Sequence, residues 1–234
     1  MTKNKLQRFA EMKRFDNVIE PSFDEIFQKD HKYKGHWHKQ VFGNDNPIVL
    51  ELGCGKGEYT VNLCRSFPAY NFLGIDIKGA RMWKGAKAAL HDGLPNAKFL
   101  RTRIDFIRSF FAEGEISEIW ITFPDPQPKK PLKRLVSTRF LSRYQHFLQD
   151  GAVVHLKTDN TKVYQYAGKV ARANNLEILR EIDDVHHTED KALEKVRNIQ
   201  TFYEKQFIEE NKKIKYLAFK LETDKTLEEP PDEE

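Results

Sequence analysis

Cysteine is scarce in this 234-residue chain, which carries only Cys54 and Cys64. Two cysteines make neither a disulfide framework nor a zinc site of their own. Long apolar runs are missing too, and none approaches the roughly 20 residues of a membrane-spanning helix. The first fifteen residues, MTKNKLQRFAEMKRF, lack the apolar stretch of a secretory leader. Membrane and secreted classes are therefore disfavoured, and the expectation is a cytoplasmic protein with no membrane contact.

The residues that are abundant allow a sizeable core under a charged surface: 39% are hydrophobic, 12% aromatic and 32% charged. The length fits one large domain. The net charge of +4 conceals an asymmetry. After Leu221 the chain reads ETDKTLEEPPDEE, with seven acids against Lys225, so the preceding residues stand at +10. Composition predicts that this acidic, proline-containing tail is disordered. A body at +10 suits a polyanionic partner, although a mixed solvated surface is the commoner source of such a value alone.

Leu6, Phe9, Met12 and Phe15 recur at helical spacing among basic residues, predicting a short basic amphipathic helix. Beyond Pro21 a loop carries His31, His36 and His38. With no partnering cysteine or carboxylate at ligand spacing, these histidines read as surface residues rather than metal ligands. From Pro47 the pattern becomes regular. Strands are expected at 48–50, 71–77, 97–103, 118–123, 152–156, 176–181 and 214–221. Helices are expected at 58–67, 79–90, 137–149, 161–174 and 201–212, with Gly151 just past the end of the third. Such alternation implies an α/β fold with a mostly parallel sheet and helices on both faces. Ligands bind such sheets beyond the carboxyl ends of the strands, so the strand-ending residues are the ones to inspect.

The first strand ends ELGCGKGE. Gly53, Gly55 and Gly57 permit a tight turn and close approach of a ligand to backbone. A triphosphate loop with terminal Lys-Ser/Thr is absent, and Glu58 stands where the dinucleotide pattern needs its third glycine. A carboxylate there opposes a pyrophosphate and suits an ammonium or sulfonium ligand. The next strand ends at Asp76, about twenty residues beyond the turn. It can accept hydrogen bonds from both ribose hydroxyls, or cap the following helix. Asp105, after the third strand, can meet an adenine amino group or cap its own short helix. Glycine turn and two acids together indicate an adenosyl ligand.

The fourth strand runs into FPDPQPKK, where three prolines stiffen the backbone around Asp125. From Pro126 to Gln149 follow Lys129, Lys130, Lys133, Arg134, Arg139 and Arg143 with no acid. A single-sign stretch beside a candidate pocket favours an anionic macromolecule. The fifth strand ends LKTDN, where Thr158 or Asp159 can cap the next helix. Thr201-Phe202-Tyr203-Glu204 has the form of a capping box, which would account for both Thr201 and Glu204.

In order and spacing, ELGCGKG, GIDIKG, FPDPQPKK, LKTDN and TFYE resemble the bacterial tRNA (guanine-N7)-methyltransferase family from about Pro47 to Leu221. The first two motifs mark the wider S-adenosylmethionine-dependent class, and FPDPxPKK with TxYE is more specific. The resemblance implies a Rossmann-like class I methyltransferase fold, with a mostly parallel seven-stranded sheet and an antiparallel last strand. It implies transfer of a methyl group to N7 of guanine 46 in the tRNA variable loop, with S-adenosylmethionine as donor and no metal. By position, Glu51, Gly53, Gly55, Asp76, Asp105 and Asp125 are expected to bind the cofactor, with Asp125 catalytic. Lys129, Asp159, Thr201, Phe202, Tyr203 and Glu204 are expected to hold the substrate nucleotide. The implied layout is a basic extension (1–46), the methyltransferase domain (47–221) and the acidic tail (222–234). The partner would be tRNA, and monomer and homodimer both stay open.

Four positions depart from the family pattern. Gln127 stands in place of a usual tryptophan, Pro131-Leu132 in place of Arg-His, and Asp76 in place of a more frequent glutamate. Two other readings keep part of the pattern: a methyltransferase for another RNA or a small-molecule amine, and a non-catalytic RNA-binding protein on the same fold. The first is disfavoured because Asp125-Pro126-Gln127 lacks the second proline and aromatic of amine methylators, the second by the intact turn and acids.

Overall fold

The computed structural model describes residues 3–231. In chain order its first half contains α1 (Lys3–Met12), β1 (Val18–Ile19), α2 (Phe23–Ile26), β2 (Ile48–Leu52), α3 (Glu58–Ser66), β3 (Asn71–Asp76), α4 (Gly79–His91) and β4 (Ala97–Arg101). The second half contains β5 (Ile116–Thr122), α5 (Thr138–Tyr144), β6 (Leu148–Thr158), α6 (Thr161–Ala173), β7 (Ile178–Ile182), α7 (Glu194–Asn198), α8 (Phe202–Glu209) and β8 (Lys215–Leu221).

The strands form one sheet in the order β1-β4-β3-β2-β5-β6-β8-β7. Pairing is parallel from β1 to β6, while β8 runs antiparallel to both β6 and β7. All five residues of β2 are buried, as expected of a central strand covered on both faces. Leu50 and Leu52 face one core together with Leu141 of α5 and Val163 of α6. Val49 faces the other, with Val61 of α3 and Met82 of α4. The chain leaves β2 toward β3 and β4, then returns to place β5 on the opposite side. The switch point therefore lies between the ends of β2 and β5, where such sheets bind ligands.

Seven strands correspond to the expected ones, and the eighth comes from the N-terminal segment. Val18 and Ile19 pair with Phe99 and Leu100 of β4, and the Asn17 side chain donates to the Ala86 carbonyl at 2.9 Å. Further along, Trp37 is fully buried and donates its indole N–H to the Phe110 carbonyl at 2.7 Å. The carboxylate of Glu115 accepts the backbone N–H groups of Gly35 and Trp37. The expected surface position of His31 is corrected. It is buried against Tyr33 and Phe110, and burial lowers its pKa.

The helix expected over 137–149 is half that length, because β6 begins at Leu148 and runs through Gly151 instead of being capped by it. Ile116 and Glu118 of β5 face Leu148 and Val153 of β6, so β6 bulges, and Gly151 supplies the positive φ of 67°. The tail also differs from its expectation through residue 229. Leu227 packs on the core, and the Asn174 side chain exchanges two hydrogen bonds with the backbone of Glu228. Glu229 accepts from the hydroxyls of Thr138 and Tyr166. One leucine and paired backbone groups outweigh the polar composition there.

Candidate active site

A cavity of about 980 Å³ opens at the carboxyl ends of β2, β3, β5 and β6, at the switch point. Its floor is the glycine-rich turn. Gly53 and Gly55 have φ of 78° and 55°, and a Cβ on either would meet nothing closer than 3.6 Å, so the backbone itself borders the open space. Gly57 is packed differently: a Cβ there would lie 2.6 Å from the Phe99 ring and 3.1 Å from Gly85 Cα. Gly85 returns the contact from α4, where a Cβ would lie 2.7 Å from Gly57 Cα and 2.7 Å from the Lys56 carbonyl. Gly85 thus seats the turn on α4, a role not drawn from its sequence.

Glu51 lines the cavity with its carboxyl held by three donors. One oxygen accepts from Thr60 N (2.8 Å) and the Thr60 hydroxyl, and the other from the Thr122 hydroxyl at 2.6 Å. Burial raises its pKa to about 7 against these hydrogen bonds. Asp76 ends β3 with Oδ2 accepting from Gly55 N at 2.9 Å and Oδ1 from Lys78 N at 2.7 Å. One lone pair on each oxygen remains for a ligand, in a fixed orientation. Asp76 does not cap α4, whose N-cap is Lys78; it accepts from the Lys78 N–H ahead of the helix. Asp105 also lines the cavity, ringed by Arg103, Arg143 and Arg139 at 3.6, 3.6 and 3.9 Å. Burial pushes the Cys54 thiol up, so it stays protonated and packs as a small side chain.

Asp125, also on the cavity wall, is carried by a strained loop. Phe123 and Gln127 flank it with φ of 47° and 45°, values that cost about 1–3 kcal/mol each in non-glycine residues. Several contacts hold the loop: Phe123 N donates to the Lys157 carbonyl (2.8 Å), and Arg134 Nε donates to the Pro126 carbonyl (3.1 Å). Arg134 is buried with its guanidinium over the Tyr166 ring at 4.5 Å, which removes it from the exposed basic run. Lys129, Lys130, Lys133 and Arg139 remain exposed. Lys133 and Arg139 line the cavity, whereas Lys129 lies outside its wall.

Asn160 caps α6, accepting from Val163 N at 3.0 Å, and Asp159 is left on the cavity wall. Thr201 and Tyr203 also line it, and Phe202 is exposed beside them. Glu204 does not reach the cavity. Thr201 accepts from Glu204 N at 3.1 Å, but the capping box is not completed, because the Glu204 side chain turns inward. Fully buried, it pairs at 2.7 Å with Lys157, which also donates to the Val196 and Ile199 carbonyls. Burial lowers the Lys157 pKa and the Glu204 carboxylate opposes that shift. Lys56 and Glu58, both on the cavity wall, complete the constellation.

This topology, with the glycine turn, Asp76 and Asp125 gathered at the switch point, defines a Rossmann-like class I methyltransferase. A family model described as "Putative methyltransferase" matches residues 45–217. The tRNA (guanine-N(7)-)-methyltransferase of Christiangramia forsetii is 50% identical over 94% of this chain and 99% of its own. That of Bacteroides thetaiotaomicron is 46% identical over 98% of this chain and 90% of its own. The chain belongs to the tRNA (guanine-N7)-methyltransferase family. Among solved structures, the 16S rRNA methyltransferase KamB shares the fold, with a TM-score of 0.60 at 16% identity over 79% of this chain and 92% of that one.

Proposed function

We propose that this protein transfers a methyl group from S-adenosylmethionine to N7 of guanine 46 in the variable loop of tRNA. The observation that carries this reading is the cavity itself. Asp76 and Asp125 both line it, together with the basic side chains of Lys133 and Arg139 and with Tyr203. The volume of about 980 Å³ lies at the upper end of the range for a small-molecule or cofactor site. The residues present fit that cofactor. Asp76 has free lone pairs directed by two backbone N–H groups, and Gly53 and Gly55 present backbone without side-chain obstruction.

When bound, S-adenosylmethionine supplies an electrophilic methyl carbon on a sulfonium sulfur. Asp76 would accept from the ribose hydroxyls, the Gly53–Gly55 turn and Glu51 would border the amino-acid portion, and Asp105 would meet the adenine. Guanine N7 carries a lone pair and no proton, so no strong general base is needed. The chain therefore acts chiefly by alignment, a lever of several kcal/mol. Asp125 holds the guanine edge or the cofactor ammonium and offsets positive charge developing on the base. Asp159, Thr201 and Tyr203 border the nucleotide, and Lys129, Lys133 and Arg139 meet phosphates.

Incubation with unmodified tRNA transcript and methyl-labelled S-adenosylmethionine, then digestion, tests the reading. Labelled 7-methylguanosine mapping to the variable loop is expected, and Asp125→Ala should lose turnover while keeping its fold. A different labelled nucleoside overturns the acceptor, and absence of label despite cofactor binding overturns the reaction.

A further inference from the structure

The glycine-rich turn holds more than its own backbone. Glu58, the first residue of α3, sends neither carboxylate oxygen to its own helix. Its Oε1 pairs with Lys84 of α4 at 2.8 Å, and its Oε2 accepts the Phe202 N–H, the first of α8, at 2.8 Å. Burial opposes ionisation of Glu58, and these hydrogen bonds outweigh it and hold the carboxyl below its ordinary pKa. Two residues earlier, the Lys56 ammonium lies 3.7 Å from the centre of the Phe202 ring and 4.9 Å from that of Tyr203. Phe202 and Tyr203 nevertheless keep 46% and 40% of their surface exposed. The opposite side of the same helical turn is tied to the end of β6 through Glu204 and Lys157.

We propose that Lys56 and Glu58 are positioning residues that couple occupancy of the glycine turn to presentation of Phe202 and Tyr203 as the stacking face for the substrate nucleotide. The inference rests on the function proposed above. Its physical basis is that the turn, held by Gly53 N and Cys54 N on the Ile75 carbonyl and by Gly55 N on Asp76, is also the segment that carries Lys56 and Glu58. Gly53, Gly55 and Gly57 all sit at positive φ, and a ligand lying on Gly53 and Gly55 limits the conformations of Lys56 and Glu58 directly. Both side chains end on α8, so ordering the turn orders the ring pair. Phe202 and Tyr203 are the large part-exposed rings that α8 carries beside the cavity, and such rings can stack on a base. The Lys157–Glu204 pair fixes the back of α8 regardless of the ligand, so it is the front of the helix that responds.

The test measures tRNA affinity with and without saturating S-adenosylhomocysteine, which binds without reacting. The ratio of the two dissociation constants is the coupling factor. Wild type is expected to bind tRNA about fivefold or more tightly when the cofactor product is present. In Glu58→Ala and Lys56→Met the ratio should fall to about one, whatever their affinity for S-adenosylhomocysteine alone. Glu58→Gln, which keeps an acceptor for the Phe202 N–H, should retain most of the coupling. Lys129→Ala should weaken tRNA binding in both states and leave the ratio intact. If Glu58→Ala fails to fold, Lys56→Met, which loses only a charge over exposed rings, carries the test alone. A wild-type protein that binds both ligands without coupling, or variants with an undiminished ratio, would overturn the proposal. A wild type that binds S-adenosylhomocysteine but no tRNA would instead overturn the proposed function.

Discussion

Gly85→Ala places one methyl group between a helix and the turn at the cavity floor. In a solvent-facing helix position this change stabilises by about 1 kcal/mol, since alanine is the better helix former. Here the new Cβ would lie 2.7 Å from Gly57 Cα, 2.7 Å from the Lys56 carbonyl and 3.0 Å from the Gly57 carbonyl carbon. All three are backbone atoms and cannot rotate aside. Gly57 is hemmed in as well, because the Phe99 ring fills the space where its own Cβ would stand. Overpacking of this kind costs about 1–3 kcal/mol, which exceeds the propensity gain. A net loss of up to about 2 kcal/mol should lower the melting temperature by up to about 8 °C in a chain of this size. Displacement of the turn should also weaken S-adenosylhomocysteine binding about fivefold or more, read by calorimetry. A Gly85→Ala protein that melts no lower than the parent and binds S-adenosylhomocysteine equally well would refute the packing argument.

Other outcomes follow from buried charges and the basic rim. Glu51 has a pKa of about 7 when folded against an ordinary 4.5, so between those values the folded protein holds a proton that the unfolded chain has released. Its contribution to stability therefore falls as pH rises from 4.5 to 7, by about 3 kcal/mol at most, and is fully lost above pH 7. The stability difference between wild type and Glu51→Gln, from urea unfolding at pH 4.5 and 7.5, should shrink by that order, and a pH-independent difference contradicts it. Lys157→Met leaves buried Glu204 with His186 Nε2, at 3.1 Å, as its neighbour and should cost up to about 3–5 kcal/mol, while Lys157→Met with Glu204→Met should regain most of it. Denaturation that finds the double variant no better than the single one would sever the pair. Lys133→Ala and Arg139→Ala should each lower the salt slope of tRNA binding by about one unit per lost phosphate contact. Arg134→Ala should reduce melting temperature instead, because that side chain braces Pro126 and Tyr166.

The regular part of the fold was legible because its signals are local. Apolar runs, strand-helix alternation and the glycine turn announce themselves within a few residues, from β2 through β8. Features that depend on distant partners were not. Val18 and Ile19 become a strand only because β4 offers its edge, and Trp37 is buried by residues beyond position 100. For the site, Asp76, Asp125 and Asp159 were legible as strand-ending acids that the fold gathers at one cavity. Glu204 shows the limit: spacing reveals that it can close a capping box, but not that a buried lysine competes for its carboxylate and wins. The same holds for Lys56 and Glu58, whose partner Phe202 is far along the chain. Gly85 left one usable trace, a glycine inside a predicted helix, where a packing reason is the usual explanation.

The ends of the sheet bear on how copies of this protein meet. At one edge β1 offers only two residues and is followed at once by Glu20 and by Pro21, which lacks an N–H to donate. At the other, β7 carries Arg180 paired with Asp190 and Glu181 paired with Arg172. A short strand, a proline and a fringe of ion pairs are the devices that deter edge-to-edge pairing. Neither end invites a ninth strand from another molecule.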